Sequence, residues 1–516
     1  MKDPSIYAQY RGISNIVRKQ TRSVYRHEQN EVARLSKENP KKFWNYVNSR
    51  RKSRSTISDL ICQDDLGNVS MADTDEKKVV VLSRFFSSVY SIEPPGEFDK
   101  LQDRPCETSM NNVKFSTADI LLRLNKLNVN KSSGPDGIHP RLLYEARNEI
   151  AYPLKLIFEC SFKTKKLPLD WRVANISAIY KKGKKSEVGN YRPVSLTSVV
   201  CKIMESIIRD DVMQHFAKNN LFSNKQFGFI KGRSTVLQLL KVLDSWTEML
   251  ESGGHIDVIY TDLEKAFDKV PHKRLISKLH SYGINSDVIH WIEAFLANRK
   301  QRVKINNSTS DWASVYSGIP QGSILGPLLF IIYINDLIDS CNNGSELYLY
   351  ADDAKLFKHI LNDFDKTILQ NDLDNLGHWT EQWLLKLNVT KCKHMSFQRA
   401  NELSLYQYNI LGTNLEHVDA IKDLGVTFDG KLKFANHICE KVNKAYSTLG
   451  IIKRNFQYLS DECFVTLYKS VVRPHLEYAQ GVWSPHLIGQ IKNIEKVQMR
   501  ATKMVSRLKT LPYNES

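Results

Sequence analysis

The sequence LYLYADDAKLF, residues 347–357, sets two adjacent aspartates between two short runs of strand-forming residues. This pattern predicts a β-hairpin with Asp352 and Asp353 at its turn. Two other adjacent aspartate pairs, Asp64-Asp65 and Asp210-Asp211, lack such flanking runs. An ordinary polar turn is the alternative interpretation, and the flanking strands favour a functional one.

Two neighbouring carboxylates repel each other, so each favours protonation or a bound cation. A divalent cation removes this repulsion, and hard oxygen ligands suit magnesium. The hairpin therefore predicts a cation site at its turn.

A second motif, DVIYTDLEKAFD at residues 257–268, contains a short apolar strand that ends at Asp262. A carboxylate at the end of a strand can reach a ligand outside the sheet, although Asp is also a preferred residue at the start of a helix. Asp262 would add a third acid to the hairpin pair. Two metal ions held ~3.5–4 Å apart by such a cluster can drive phosphoryl transfer.

The composition points to a polyanionic partner. The 516 residues include 73 Lys and Arg against 56 Asp and Glu, for a net charge of +17. Such charge favours nucleic acid or an anionic surface, and the ordinary apolar content excludes a fibrous or wholly disordered chain. Acids that bind metal in a basic protein suggest phosphoryl transfer on nucleic acid.

Two further motifs could bind a nucleotide. The loop SGIPQGSILGP, residues 317–327, has glycines that allow close backbone approach and leads into an apolar run predicted to be a buried helix. Residues 180–196 predict two strands joined by a Lys-rich turn, and Arg192 could fork onto phosphate oxygens. A tight loop before a core helix and a solvated charged hairpin are the respective alternatives.

The N-terminal 60 residues are strongly basic, with 14 Lys and Arg against 5 Asp and Glu. Their pattern predicts amphipathic helices that end near Arg50 and Arg51. We expect a segment that binds a nucleic-acid backbone, with a solvated helical face as the alternative. Eight dispersed cysteines argue against a zinc knuckle, and the sequence shows no signal peptide or membrane span.

Together, these motifs resemble the reverse transcriptases of non-LTR (LINE-type) retrotransposons, most closely the jockey and CR1-like groups. The resemblance covers about residues 117–437. It rests on GPDG (134–137), Trp171-Arg172, YRP (191–193), QFGF (226–229), KAFD (265–268), PQGS (320–323), YADD (350–353), Leu387-Asn388 with Lys391, and LGV (424–426).

The resemblance implies an α+β right-hand polymerase of fingers, palm and thumb. The palm would be a ferredoxin-like sheet, with helical N-terminal and thumb extensions. The expected domains are a basic helical extension (1–116), an N-terminal fingers segment (117–161), fingers and palm (162–430), and a helical thumb (431–516).

The resemblance also implies roles for single residues. Asp262, Asp352 and Asp353 would be catalytic and would hold two Mg²⁺ ions, with Mn²⁺ possible. Phe267 would select deoxynucleotides by crowding a 2′-hydroxyl, with a core aromatic as the alternative. The remaining substrate and nucleic-acid contacts are expected at Lys181, Lys182, Arg192, Gln321, Gly322, Lys391 and Gly425. Lys391 would donate a proton to pyrophosphate, although Lys393 lies close enough to compete for that role.

The implied activity is RNA-directed DNA synthesis from dNTPs on an RNA template and a DNA primer or target. We expect no membrane association, a nuclear and cytoplasmic ribonucleoprotein, and no endonuclease in this chain; the oligomeric state stays open. The alternatives are a catalytically silent truncated relic that only binds RNA, and a maturase-like polymerase.

Overall fold

The computed structural model describes residues 4–50, 57–63, 69–398 and 406–509. The helices are α1 (Pro4–Ser36), α2 (Lys41–Ser49), α3 (Asp75–Ser87), α4 (Thr117–Asn125), α5 (Pro140–Glu145), α6 (Arg147–Thr164), α7 (Val199–Lys218), α8 (Thr235–Glu251), α9 (Ala266–Lys269), α10 (His272–Ser281), α11 (Ser286–Leu296), α12 (Gly326–Tyr333), α13 (Asp363–Gln382), α14 (Ala435–Asn455), α15 (Asp461–Leu467), α16 (Pro474–Glu477), α17 (Gln480–Trp483) and α18 (Ile488–Thr502).

The strands are β1 (Leu60–Gln63), β2 (Val69–Ala72), β3 (Val173–Tyr180), β4 (Tyr191–Leu196), β5 (His255–Asp262), β6 (Lys300–Ile305), β7 (Ser308–Thr309), β8 (Ala313–Ser314), β9 (Glu346–Tyr350), β10 (Asp353–Ile360), β11 (Lys393–Gln398), β12 (Asn409–Ile410), β13 (Thr413–Asn414), β14 (Glu416–His417), β15 (Ala420–Asp423) and β16 (Val426–Asp429).

The chain divides into two compact units. Unit 1 comprises Met1–Thr56, Leu239–Ser245 and Asp419–Ser516, and unit 2 comprises Ile57–Gln238 and Trp246–Val418. The domain boundaries expected from the sequence stay a prediction.

Unit 2 contains the site sheet, of order β14-β11-β5-β10-β9. Strands β11, β5, β10 and β9 pair antiparallel to one another in this order, whereas the edge strand β14 pairs parallel to β11. Helices lie between β5 and β9 and between β10 and β11, so these four strands follow the β-α-β-β-α-β order of a ferredoxin-like sheet, with β6–β8 of another sheet inserted between β5 and β9. Strands β5 and β10 pair with each other along their full lengths, from the pair Asp262–Asp353 to the pair His255–Ile360.

A second sheet in unit 2, the hairpin sheet, has the order β4-β3-β6-β7, with β8 also paired to β6. Helix α3 packs on it, and buried Val79, Leu82 and Phe86 share one core with Ala174 and Ile176 of β3. Thr74 caps α3 by accepting a hydrogen bond from the Lys77 amide, which fixes where this helix begins.

Most sequence predictions for these elements agree with the structure, and the deviations are local. Strand β3 begins at Val173, because Trp171 belongs to a short 3-10 turn. Helices α5 and α6 meet at Ala146. The buried helix after the 317–327 loop is α12, and all its residues except Pro327 are buried. The mixed helix and sheet class is confirmed.

Unit 1 is built mainly from α1, α2 and α14–α18, and the short hairpin of β15 and β16 belongs to it. Helix α1 is 33 residues long, and it packs against α2 and α15 within the unit. The expected basic N-terminal helices and C-terminal helices are therefore present. No helix in the described part of the chain combines the length and apolar character needed to cross a bilayer.

Candidate active site

The turn between β9 and β10 presents the two adjacent aspartates. Asp353 is the first residue of β10 and lies opposite Asp262, the last residue of β5. Asp352 occupies the turn itself, preceded by Ala351 with a left-handed φ of 54°. Asp262 does not cap the following helix, whose N-cap is Lys265. The strand ends therefore bring the three predicted acids to one edge of the site sheet.

The QFGF segment supports this turn from beneath. Gln226 is 0% exposed, and its Oε1 accepts hydrogen bonds from the Gly228 amide (2.7 Å) and the Ala351 amide (3.1 Å). A Cβ at Gly228 would lie 2.4 Å from the Ala351 nitrogen, so only glycine fits. Arg233 donates to the backbone carbonyl of Gln226. Sequence reasoning used this motif for the resemblance and assigned it no structural role.

The acids sit in a polarised environment. Burial raises the pKa of Asp352, and the charge of Asp262 raises it further, while Arg192 and Lys181 oppose the rise. Asp262 Oδ2 forms an ion pair with Lys391 Nζ, at a distance of 3.0 Å. A bound cation would offset the repulsion between the acids, as expected for a metal-binding pair.

One cavity of ~410 Å³ brings together most of the residues predicted from the sequence. Its lining includes Lys181, Lys182, Arg192, Asp262, Phe267, Gln321, Asp352 and Lys391. These residues come from five separate stretches of the chain, so their meeting was not visible in any single motif. Glu264, Lys265 and Asp268 line the cavity as well, so it has four acids and five cations.

A neighbouring cavity of ~420 Å³ shares Arg192, Phe267 and Gln321 with the first and adds Gly322 and Asp353. Gly322 has a φ of +132°, and a Cβ there would lie 2.4 Å from the carbonyl oxygen of Ser195. The Ser195 amide in turn donates to the Gln321 carbonyl (2.7 Å). Close contact between this loop and β4 explains the glycine.

A hydrogen-bonded chain orients Arg192. The Arg192 Nε donates to Gln321 Oε1 (2.9 Å), and Gln321 Nε2 donates to Asp268 Oδ1 (2.7 Å). Burial raises the pKa of Asp268 to about 6, while the Gln321 hydrogen bond and the Lys265 charge oppose the rise. The sequence motif contained Asp268, but no signal in it identified this position as the anchor of the chain.

Phe267 is a core aromatic that also borders the site, and its role in selecting deoxynucleotides stays a prediction. It is 9% exposed and stacks on Phe330 with ring centroids 4.3 Å apart. It also lines both cavities. It is therefore a core aromatic with one edge at the site.

Lys391 and Lys393 are distinguished by their partners. Lys391 lines the cavity and pairs with Asp262, whereas Lys393 pairs with Glu416 at 2.5 Å. The Asn388 amide donates to the Asp262 carbonyl (2.7 Å), which ties the Lys391 turn to the end of β5.

The predicted nucleic-acid residues belong to unit 1. Gly425, with a φ of +90°, turns the β15–β16 hairpin. Arg50 lies 3.8 Å from Glu28 and over the rings of Tyr25 and Tyr46. Arg51 lies outside the described residues.

The structure adds residues that the sequence did not single out. Phe85, Phe86 and Val89, at the end of α3 and just after it, line the ~410 Å³ cavity together with Lys265. Their stretch falls within the predicted basic helical extension (1–116), and a helix with mixed charge gives no hint of what its far end contacts.

The carboxylates at the end of the site sheet form a candidate metal site. Within the described ranges, no three His, Cys, Asp or Glu side chains are grouped so that they could hold an ion by themselves. Asp262 and Asp352 nevertheless line one cavity and offer only oxygen donors. Mg²⁺ is commonly held by one or two carboxylates with waters and substrate phosphates. The donor set therefore fits magnesium that binds together with a nucleotide.

Comparison with known proteins gives the class. Residues 179–428 match the family model described as reverse transcriptase (RNA-dependent DNA polymerase). This segment, which carries all three acids, is a reverse transcriptase domain. The chain is similar to RNA-directed DNA polymerases of mobile elements such as X-element and jockey.

Three Drosophila proteins illustrate the similarity. They are the probable RNA-directed DNA polymerase from transposon X-element of Drosophila melanogaster (26% identical, covering 78% of this chain and 44% of the relative), the RNA-directed DNA polymerase from mobile element jockey of the same species (27%, 81% and 46%), and its counterpart in Drosophila funebris (28%, 76% and 43%). The chain spans less than half the length of these relatives.

A solved structure of apo telomerase from Candida tropicalis, truncated from its C-terminal domain, aligns with a TM-score of 0.37 and 10% identity. The alignment covers 55% of this chain and 58% of that one. This score is too low to define a shared fold.

Proposed function

We propose that this chain is an RNA-directed DNA polymerase that adds deoxynucleotides to a primer 3′-hydroxyl on an RNA template. The observation that carries the proposal is the ~410 Å³ cavity, where Asp262 and Asp352 face Lys181, Lys182 and Arg192 within a reverse transcriptase domain. Acids beside a cluster of cations suit a magnesium–triphosphate substrate.

In this proposal the site sheet is the palm, the hairpin sheet belongs to the fingers, and α14–α18 form the thumb. The strand order of the site sheet and the β3–β4 hairpin that carries Arg192 support this assignment. The β15–β16 turn at Gly425 would be the primer grip, and Arg50 and Arg51 would contact nucleic-acid backbone.

Reverse transcriptases generally depend on divalent metal. We propose two Mg²⁺ ions, with Mn²⁺ as a substitute, held by Asp262, Asp352 and Asp353. When bound, such ions supply activation of the attacking hydroxyl and neutralisation of the leaving pyrophosphate.

The residues of the chain would do the rest. Lys181, Lys182 and Arg192 would bind the triphosphate of the incoming dNTP, and Gln321 would keep Arg192 oriented through its 2.9 Å hydrogen bond. Gln321 and Gly322 would border the template and the nucleotide base.

The reaction joins the primer O3′ to the α-phosphorus and breaks the bond to the β-phosphate, so that pyrophosphate leaves. Lys391 would donate a proton to the pyrophosphate oxygen, a role that its place in the cavity favours over Lys393. The edge of Phe267 would crowd a 2′-hydroxyl and so select deoxynucleotides.

In this proposal, the partners are an RNA template and a DNA primer or target, and the protein acts in nuclear and cytoplasmic ribonucleoproteins. Nicking of target DNA is assigned to no residue described above.

The first test is primer extension with dTTP on poly(rA)/oligo(dT) in magnesium. We expect incorporation by the wild type and at least about a thousandfold loss in D352N/D353N, since carboxylates that hold the metals act as a unit. The matched control is D210N/D211N, which removes the same charges from an aspartate pair on α7 that does not line the cavity.

Equal loss in both variants, or full activity in D352N/D353N, would refute the assignment of the acids. No incorporation by the wild type, together with tight, salt-sensitive RNA binding, would favour the silent relic.

A further inference from the structure

Helix α3 ends in two adjacent phenylalanines with different surroundings. Phe86 is 3% exposed and belongs to the core between α3 and the hairpin sheet. Phe85 packs beside that core, and both rings reach the ~410 Å³ cavity. Since Phe86 is anchored in the core, the direction of Phe85 is fixed by the docking of the whole helix.

The side chain of Lys265 lies over the ring of Phe85. Lys265 Nζ lies 4.1 Å from the Phe85 ring centroid, well within the range of a cation–π contact. The backbone of Lys265 is left-handed, with a φ of 49°, in the turn between β5 and α9. The turn aims this side chain back over the cavity, where α3 meets it.

The acids nearest to Lys265 are engaged by other groups. Glu264 forms an ion pair with Lys269 at 2.7 Å, and Asp268 accepts a hydrogen bond from Gln321 at 2.7 Å. Burial lowers the pKa of Lys265, while the charges of Glu264 and Asp268 oppose the fall. An anionic ligand in the cavity would offset the remaining cost of burying this charge.

The charge of the cavity identifies that partner. Lys265 shares the lining with Lys181, Lys182 and Arg192, whereas the fifth cation, Lys391, is paired with Asp262. Four acids also line the cavity, but Asp262 is paired with Lys391, Glu264 with Lys269, and Asp268 is hydrogen-bonded to Gln321. The remaining cations would therefore be stabilised by a polyanion between them. The triphosphate of a nucleotide has the matching charge and size.

We propose that Lys265, held on the ring of Phe85, is an additional contact for the triphosphate of the incoming deoxynucleotide. Lys265 is then a substrate-binding residue and Phe85 a positioning residue. The inference rests on the proposed polymerase function. It gives a role at the site to α3, which lies outside residues 179–428 that match the family.

The test is a double-mutant cycle on the full chain. Steady-state primer extension gives kcat and KM for dTTP, and equilibrium binding of dTTP to the complex with a dideoxy-terminated primer gives Kd. The variants are K265M, F85L, the double variant, and F85Y, which keeps the ring. F98L is the matched control, because Phe98 carries Arg274 in the same manner (4.7 Å) but does not line this cavity.

We expect K265M to raise KM and Kd for dTTP about tenfold with little change in kcat, since a charge-assisted contact is lost. F85L should raise both about threefold, as expected for loss of a cation–π contact. The double variant should be no weaker than K265M, because Phe85 acts through Lys265. F85Y and F98L should bind dTTP like the wild type, and thermal unfolding of all variants should be unchanged.

Wild-type Kd in K265M, or effects of F85L and K265M that multiply, would overturn the proposal. Its failure is separable from failure of the proposed function. If the wild type binds dTTP but incorporates none, the binding arm still tests Lys265 while the polymerase assignment falls. If the wild type neither incorporates nor binds dTTP, both proposals fall.

Discussion

Gln226 shows how one buried amide can hold an active-site turn. Its Oε1 accepts from the amide of Ala351, the left-handed residue that directly precedes Asp352. A left-handed alanine is strained and persists only where its surroundings fix it. Without this acceptor, the Ala351 amide would be buried and unpaired, and the turn would relax.

We therefore predict that Q226L lowers kcat about 10- to 100-fold, in line with other substitutions that displace reacting groups by about 1 Å. KM for dTTP should change little, because the triphosphate contacts are elsewhere. The matched control is Q238L. Gln238 is also 0% exposed, and its amide atoms find no hydrogen-bond partner within the described residues. Q238L should keep full kcat. A wild-type kcat in Q226L would show that the turn does not need this hydrogen bond.

Asp268 gives the site a pH dependence of known sign. Its pKa is raised by burial to about 6, so it is charged above this pH and neutral below it. The charged form is the stronger acceptor for Gln321, which orients Arg192. KM for dTTP should therefore rise as the pH falls from 7.5 to 5.5.

In D268N this rise of KM at low pH should disappear, because the amide cannot titrate. The measurement is KM for dTTP against pH for both proteins, with stability followed in parallel. The free energy of unfolding should change in the opposite direction. An acid whose pKa is raised in the folded state destabilises the fold as the pH rises from its unfolded pKa to its folded pKa. If KM for dTTP still rises at low pH in D268N, another titrating group causes the rise.

At the scale of elements, strands β5 and β11 are joined by a buried polar network. The Ser396 hydroxyl donates to Asp257 Oδ1 (2.5 Å), and the Tyr408 hydroxyl donates to Oδ2 (2.7 Å). His394 lies 3.3 Å from the same carboxylate. Burial alone would raise the pKa of Asp257, but hydrogen bonds with His255, His394 and Ser396 hold it well below its usual range.

Such a carboxylate stabilises the fold above its unfolded pKa of about 3.9 and ceases to do so as the pH falls toward its folded pKa. We predict that D257N lowers the free energy of unfolding by about 3 kcal/mol at pH 7, since it leaves buried donors without their acceptor. The loss should shrink between pH 4 and pH 2. Urea unfolding at these pH values measures both, with S396A as a milder control. An equal loss at every pH would mean that the charge of Asp257 is irrelevant.

The elements also show what local sequence can and cannot reveal. The β9–β10 hairpin was predictable because its strand pattern and its acids lie within eleven consecutive residues. Helix α3 was predictable as a helix from its cap at Thr74, but the contact between Phe85 and Lys265 was not. The two residues are 180 positions apart, and only the docking of α3 on the hairpin sheet brings them together.

At the scale of the whole molecule, the net charge of +17 predicted a polyanionic partner but not its position. The described structure gathers Lys181, Lys182, Arg192 and Lys265 at one cavity. The order of segments along the chain was a poor guide to grouping. Residues 1–56 and 419–516 belong to one compact unit although they lie at opposite ends of the sequence. Patterns within a segment cannot reveal such grouping, because it depends on contacts between distant residues.

The packing of α3 shows that the stretch of chain that matches the family model is not the whole stretch that builds the site. The match to the family model begins at residue 179, inside β3, whereas β3 pairs with β6 over Val173–Ile176 and α3 lies still further upstream. A fragment cut at residue 179 would lose six of the eight residues of β3, the helix α3 that covers its sheet, and one wall of the cavity. The stretch that matches the family model is thus smaller than the part of the chain that forms the site.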